Sequence, residues 1–203
     1  RLFPALFLML ASATIAGALL LPPAGYDAFA HDAFATIFFA SNIQYFLHSG
    51  YFDAEAHFNP LLHTWSLAVE EQFYLLFPLL LAALFAHARA RLRLMLAGLA
   101  LISLIACEAV VREHATAAFY LAPFRAFELL MGTAIARAPF AAALPQRARD
   151  ATSLIGLALI GVGLFTLNDE SRFPGIAALA PCAGTALVLV AGAGGESAGG
   201  RLI

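Results

Sequence analysis

The sequence has few charged residues, few cysteines and no lysine. Charged residues make up 12% of the 203 residues and hydrophobic residues 62%, whereas soluble domains carry about 25% charged residues. This excludes an ordinary soluble domain and indicates a membrane protein. The two cysteines, Cys107 and Cys182, lie in apolar runs, which excludes a disulfide framework. The formal net charge of −2 carries little information about partners, and no nucleic-acid partner is expected.

Six apolar runs are long enough to cross a bilayer as helices, for which roughly 20 residues are needed. The run 152–167 is short and is expected to need local thinning of the bilayer. A seventh run, 33–47, contains polar residues and is predicted to be an interfacial or re-entrant helix. The sequence therefore predicts an all-α, polytopic transmembrane helix bundle. The predicted spans are 3–21, 61–86, 94–111, 116–137, 152–167 and 175–194.

The arginines set the orientation of these spans, because arginine-rich short loops stay in the cytoplasm. Even numbers of spans separate the basic groups, whereas the other connections hold acidic residues such as Asp27 and Asp32. We therefore expect both ends of the chain to be cytoplasmic, and 33–47 not to cross. The chain begins without methionine, and we expect 1–203 to be one membrane domain truncated at both ends. The basic groups are Arg1, then Arg89, Arg91 and Arg93, then Arg137, Arg147 and Arg149, then Arg201.

The segment HTWSLAVEEQFY, residues 63–74, places two adjacent glutamates inside an apolar span. A helix beginning near 60–61 puts Glu70 about 13 Å along its axis, close to the middle of the bilayer. An acidic side chain there costs about 2.5–3.5 kcal/mol, so such residues are candidates for function. The alternative is a structural polar network between helices. The HExxH pattern of zinc proteases is missing, and no metal site is expected. The candidates are His63, Trp65, Ser66, Glu70, Glu71, Gln72 and Tyr74.

A second polar pair lies in the span 116–137. Arg125 and Glu128 are three residues apart, so they share a helix face and are predicted to pair. Pro123 is predicted to break the helix just before them. Because the two glutamates need a partner, we also expect the Arg125 guanidinium to lie within about 8 Å of Glu70 or Glu71.

Three segments together resemble the integral-membrane acyltransferase 3 family. They are LLHTWSLAVEEQFYLLFPLLL (61–81), FYLAPFRAFELLMGTAIA (119–136) and RFPGIAALAPCAGTALVLVAG (172–192). The resemblance implies a bundle of about ten spans. It also implies transfer of an acyl group, commonly acetyl, from acyl-CoA (acetyl-CoA) to an extracytoplasmic carbohydrate such as lipopolysaccharide O-antigen or peptidoglycan. No bound cofactor is implied, and the expected location is the bacterial inner membrane.

The resemblance also implies roles for the candidate residues. The family's histidine in its first span has no counterpart here, so these 203 residues alone are expected to be inactive. Glu70 or Glu71 would orient that histidine, and His63 is a second candidate base. Two other classes stay open at this point: a transporter of an anionic or lipid-linked sugar, and a non-catalytic membrane scaffold. The expected substrate-binding residues are Trp65, Ser66, Gln72, Tyr74, Arg125 and Glu128.

Overall fold

The computed structural model describes residues 2–48, 59–88, 91–136, 144–168, 171–193 and 199–201. In these ranges the regular structure is helical and contains no strand. The chain divides into two compact units, Arg1–Leu75 and Leu76–Ile203. Arg1, Arg89 and Arg137, which entered the prediction of sidedness, lie outside the described residues.

The helices carry most of the described chain. Short 3₁₀ turns cover Gly175–Ala178 and Gly199–Arg201. The α-helices are α1 (Leu2–Leu20), α2 (Pro23–Ile37), α3 (Ser41–His48), α4 (Thr64–Ala88), α5 (Leu92–Val110), α6 (Ala115–Tyr120), α7 (Ala122–Ala136), α8 (Gln146–Thr166) and α9 (Leu179–Gly192).

Among the residues that the structure describes, five helical segments are long and apolar enough to cross a bilayer. Many of their large apolar side chains are exposed, including Leu20 at 81% and Phe165 at 91%. Such a surface is unfavourable in water and suits lipid. The all-α membrane fold expected from the sequence is therefore confirmed. The five segments are Leu2–Leu20, Thr64–His87, Leu92–Val110, Gln146–Thr166 and Gly175–Gly192.

The fourth predicted span is two helices rather than one. Leu121 has extended backbone angles (φ −86°, ψ 129°) and separates α6 from α7. Pro123 lies in the first turn of α7, where its missing N–H has no helical partner to lose. The predicted break is present, and it falls two residues before the proline.

Two boundary predictions are wrong. The span predicted at 152–167 begins at Gln146 and is 21 residues long. Its first two turns contain the charged residues Arg147, Arg149 and Asp150, which the prediction had placed outside the span. It therefore needs no thinning of the bilayer. The run 33–47 is not one helix, since α2 ends at Ile37 and α3 begins at Ser41.

The turn between α2 and α3 is a Schellman motif. The Ala40 amide donates to the Ala35 carbonyl at 2.8 Å, and the Phe39 amide donates to the Thr36 carbonyl at 3.1 Å. Phe39 has φ 51°, in the left-handed region that glycine usually occupies at this position. No glycine marks this turn in the sequence, so the break could not be predicted.

In the second unit, α8 and α9 approach each other at two glycines. An added Cβ at Gly184 would lie 2.6 Å from the Gly156 carbonyl oxygen, and the reverse distance is also 2.6 Å. Glycine is therefore required at both positions, because any side chain would separate the two backbones.

The turn before α9 is attached to α5 by Glu108. Its Oε1 accepts from Arg112 at 3.2 Å, and its Oε2 accepts from the Ile176 amide at 3.1 Å. Gly175 has φ 71°, and a Cβ there would meet Glu108 Oε2 at 2.7 Å. The segment Phe173–Pro174–Gly175 is thus a structural turn.

Candidate functional site

The HTWSLAVEEQFY segment begins in a turn rather than in a helix. Asn59 Oδ1 accepts from the Leu61 amide at 2.9 Å, and the Leu61 carbonyl accepts from the Thr64 amide at 2.9 Å. Helix α4 then starts at Thr64, so the predicted start near 60–61 is wrong. Glu70 lies about 9 Å along α4 at 1.5 Å per residue, instead of about 13 Å.

The candidate residues of this segment differ in exposure. His63 and Ser66 are exposed, and the Ser66 hydroxyl donates to the His63 carbonyl at 3.1 Å. Glu70 and Glu71 are half-buried, as is Trp65. Tyr74 is 56% exposed. The fully buried positions in the first half of α4 are Thr64, Ala68 and Val69.

The buried side of α4 meets a polar cluster from α2 and α3. The Thr36 and Thr64 hydroxyls are 3.0 Å apart, and each also lies within hydrogen-bond distance of a carbonyl of its own segment, that of Asp32 or of Leu61. The Ser41 hydroxyl donates to the Thr64 carbonyl at 3.0 Å. We call this set the polar cluster; its members are Asp32, Thr36, Ser41, Asn42, Asn59, Thr64 and Gln72.

Asp32 belongs to this cluster, whereas the sequence had indicated only that it lies in a connection between two spans. Its side chain is 9% exposed within α2. Asn59 Nδ2 donates to Asp32 Oδ2, so α2 holds the residue that shapes the turn before α4. The turn that carries His63 is thus fixed at one end by Asn59 and at the other by Thr64.

Gln72 follows Glu71 directly on α4 and also belongs to the polar cluster. Its Nε2 donates to the Phe39 carbonyl and to Asn42 Oδ1, both at 2.8 Å. Gln72 therefore stabilises the strained Phe39 turn, a role that the sequence did not indicate. Its predicted contact with substrate stays a prediction.

Replacing Gln72 by glutamate tests this role. A carboxylate would face two oxygen acceptors where Nε2 now donates, and we expect the first unit to lose about 1–3 kcal/mol of stability. Trp65 is the single tryptophan and lies in α4, so its fluorescence follows unfolding in detergent mixtures. At acidic pH the protonated carboxyl can donate again, so the loss should shrink; a pH-independent loss would contradict the assignment.

Asp32 should make the stability of the first unit depend on pH. Burial raises the pKa of Asp32 above its ordinary value of 3.8, and hydrogen bonds from Asn59 and Gln44, followed by nearby His48 and His31, offset this only in part. The folded state therefore holds this proton more tightly than the unfolded state. The stabilising contribution is fully present below the unfolded-state pKa and is lost as pH rises through the folded-state pKa.

Asp32→Asn should remove that decline while it keeps an oxygen acceptor for Asn59. The measurement is the unfolding midpoint of both proteins, followed by Trp65 fluorescence, from about pH 4 to pH 7. Parallel pH profiles for the two proteins would show that Asp32 does not titrate differently on folding.

The second candidate pair lies on α7 in the other unit. Arg125 Nη2 and Glu128 Oε2 are 2.8 Å apart, and their side chains are 15% and 19% exposed, which confirms the predicted pair. The guanidinium carbon lies 5.6 Å from the ring centroids of Phe119 and Phe173. The two charges neutralise each other, and removal of one partner would leave the other charge uncompensated.

Ser103 of α5 positions this part of α7. Its hydroxyl donates to the Pro123 carbonyl at 2.6 Å and accepts from the Phe127 amide at 3.1 Å. It thereby bridges two backbone groups that lie four residues apart in the α-helical ladder of α7. Sequence reasoning missed Ser103, because a serine in an apolar span has no distinct signal.

The predicted contact between Arg125 and the glutamates stays a prediction. Glu70 and Glu71 belong to the unit Arg1–Leu75, and Arg125 belongs to Leu76–Ile203. The structure therefore describes the two glutamates within the first unit and the Arg125–Glu128 pair within the second.

The fold and these two polar sites define a polytopic helical membrane protein. A family profile described as an acyltransferase domain matches residues 1–198. The chain belongs to this family, the acyltransferase 3 family, as the resemblance of its three segments implied.

Curated relatives extend this finding. An uncharacterised protein of Haemophilus influenzae is 34% identical over 75% of the chain and 67% of its own length. A protein of Bacillus subtilis provisionally named a peptidoglycan O-acetyltransferase is 33% identical over 67% of the chain and 22% of its own length. A Komagataeibacter xylinus protein provisionally named a membrane-bound transacylase is 33% identical over 94% of the chain and 48% of its own length. No solved structure matches the chain.

Proposed function

We propose that the intact protein is a membrane O-acyltransferase that moves an acyl group, in the simplest case acetyl, from acyl-CoA to a hydroxyl of an envelope or exported carbohydrate. Family membership and the names of two relatives support this class of reaction. The acceptor would be O-antigen, peptidoglycan or a related glycan. The arginine-flanked spans support a location in the bacterial cell membrane with both ends of this chain cytoplasmic.

The observation that carries the proposal is the anchored start of α4. The polar cluster fixes the turn that bears His63 and the helix that bears Glu70 and Glu71. Acyl transfer to a hydroxyl needs a base for the hydroxyl proton, and a base works only when it is held in position.

In this proposal the candidate residues have the following tasks. The imidazole of the histidine expected from the family pattern takes the acceptor's hydroxyl proton, and Glu70 or Glu71 orients that imidazole. His63 is the alternative base. Arg125 holds negative charge, either that of the carboxylates or that of the CoA phosphates. Trp65, Ser66 and Tyr74 contact the substrates.

The test uses the complete gene in its host. Deletion should remove a specific acyl ester from purified envelope glycans, as measured by NMR and mass spectrometry, and the intact gene should restore it. A Glu70→Gln/Glu71→Gln variant should restore at most about 1% of the ester, given the 10²–10⁴-fold contribution of oriented acid–base groups.

The matched control is Leu75→Ile on the same helix, because Leu75 is 72% exposed and lies outside the proposed machinery. It should restore the ester fully. If the double variant folds and acylates at the normal rate, the glutamates have no such role. An unchanged ester profile after deletion, together with movement of a sugar across the membrane, would instead support a transporter.

A further inference from the structure

A stripe of four exposed residues changes from polar to aromatic along α2. Its members are spaced four, three and four residues apart, so they lie on one helix face. Asp27 and His31 form the polar half, which follows α1 in the chain. Phe34 and Phe38, the C-cap of α2, form the aromatic half; each is 65% exposed, and their ring centroids are 4.9 Å apart. The exposed surface therefore becomes apolar toward the turn that joins α2 to α3.

The apolar surface continues from α2 onto α3. Ile37 is 43% exposed, and Ile43 and Leu47, four residues apart on α3, are 44% and 65% exposed. The other side of α2 carries Asp32 and Thr36 of the polar cluster, which are buried. Polar side chains inside and large apolar side chains outside are the arrangement that suits lipid and not water. We call the following residues the hairpin face: Phe34, Ile37, Phe38, Ile43 and Leu47.

Helix α2 runs back along the span α1. Near the end of α1, a Cβ added at Gly17 would lie 3.5 Å from Tyr26 Cδ2. At the beginning of α1, the ring centroids of Phe3 and Phe39 are 5.8 Å apart. The two contacts are about 21 Å apart along α1 at 1.5 Å per residue, which is most of a hydrocarbon core of roughly 30 Å. Because Phe3 is itself 54% exposed, the hairpin face adjoins the lipid-facing surface of α1.

The backbone of the turn is hydrogen-bonded as a position inside lipid requires. The Ala35 and Thr36 carbonyls accept the two bonds of the Schellman motif. The Phe39 carbonyl accepts from Gln72 Nε2 of α4 at 2.8 Å. At membrane depth, irregular backbone is tolerated only where other protein groups satisfy it. A turn at a watery surface would need no such donor from a neighbouring span, since water can bond to its carbonyls.

We propose that the α2–α3 hairpin re-enters the bilayer beside α1, and that the hairpin face contacts the acyl chains of membrane lipid. The polar half of the stripe lies toward the headgroups, and the aromatic half lies in the hydrocarbon. The hairpin adds no crossing, so the predicted sidedness of the spans is unchanged. The inference does not depend on the proposed reaction.

The first experiment measures the surroundings of single nitroxide labels on the intact protein in lipid vesicles. The labelled variants are Asp27→Cys, Phe34→Cys and Phe38→Cys, with Cys107 and Cys182 replaced by alanine. Oxygen concentrates in hydrocarbon and a nickel chelate stays in water, so the ratio of their collision rates reports depth. The ratio should rise severalfold from Asp27 to Phe38.

The lipid control is a label at Leu8, which is 70% exposed on α1. The label at Phe38 should match it. Frequent collisions with nickel at Phe38 would show that the hairpin face lies in water. Rare collisions with both reagents would show that another part of the intact protein covers this face. Either result would overturn the proposal.

The second experiment keeps the native cysteines and an aromatic side chain at the tested position. Phe38→Trp is combined with Trp65→Phe, which leaves one tryptophan in these 203 residues. Lipids brominated on their acyl chains should quench its fluorescence strongly, whereas acrylamide in the water should have little effect. Quenching by acrylamide and not by the brominated lipids would contradict the re-entrant position. Neither experiment uses turnover, so both results stand whether or not the protein transfers acyl groups.

Discussion

Gly184→Val is expected to separate α8 from α9 and to cost the second unit at least about 3 kcal/mol, the upper part of the usual range for overpacking. The added Cβ would lie 2.6 Å from the Gly156 carbonyl oxygen and 2.9 Å from Ile160 Cγ1. Both neighbours belong to α8, and one is backbone, so the contact cannot be relieved by a rotamer change. The helices must move apart and lose their packing along the interface.

The measurement is the loss of helical circular dichroism as the purified protein is titrated with sodium dodecyl sulfate. Gly161→Val is the control, because its Cβ meets no described atom within 4 Å. Valine has a somewhat better helix propensity than glycine, so the control should be neutral or slightly stabilising. Equal midpoints for the two variants would contradict the close approach of the helices.

Arg125→Met should destabilise the second unit by about 3–5 kcal/mol at neutral pH, since it leaves a buried carboxylate without its cation. Glu128 would lose the 2.8 Å ion pair while it stays mostly buried. The contacts of the guanidinium with the Phe119 and Phe173 rings would also be lost. The thioether can fill part of the space and cannot supply the charge.

A double-mutant cycle separates the charge from the packing. Arg125→Met/Glu128→Gln should recover most of the stability, because no buried charge remains. Arg112→Met is the matched control on an exposed pair: Arg112 is 60% exposed and lies 3.2 Å from Glu108. It should cost less than about 1 kcal/mol. If Arg125→Met costs no more than Arg112→Met, the α7 pair is not a buried ion pair in lipid.

Much of the architecture could be predicted from the sequence because lipid imposes simple requirements. Long apolar runs must be helical in a bilayer, and five of the six predicted spans correspond to continuous helical segments, the last of which begins with a 3₁₀ turn. The Arg125–Glu128 pair followed from its i, i+3 spacing. These features depend on residues that are close together in the chain.

The polar cluster could not be predicted, because its bonds join distant residues. Thr36 and Thr64 are 28 residues apart, and Gln72 and Phe39 are 33 apart. Asp32 has no local feature that distinguishes a buried carboxylate from a loop carboxylate. The Phe39 turn lacks the glycine that usually identifies it, and the glycines at the α8–α9 contact look like ordinary members of apolar runs.

The hydroxyl of Ser103 also restricts how the second unit can change shape. A slide of α7 along α5 by one helical turn, about 5.4 Å, would break both bonds of that hydroxyl at once. The Pro123 carbonyl and the Phe127 amide could then bond only to each other, and the Ser103 hydroxyl would be left without a partner in apolar surroundings, which is costly. We therefore expect α5 and α7 to keep their register, so that Arg125, which lies between the two bonded residues, keeps a constant height along α5.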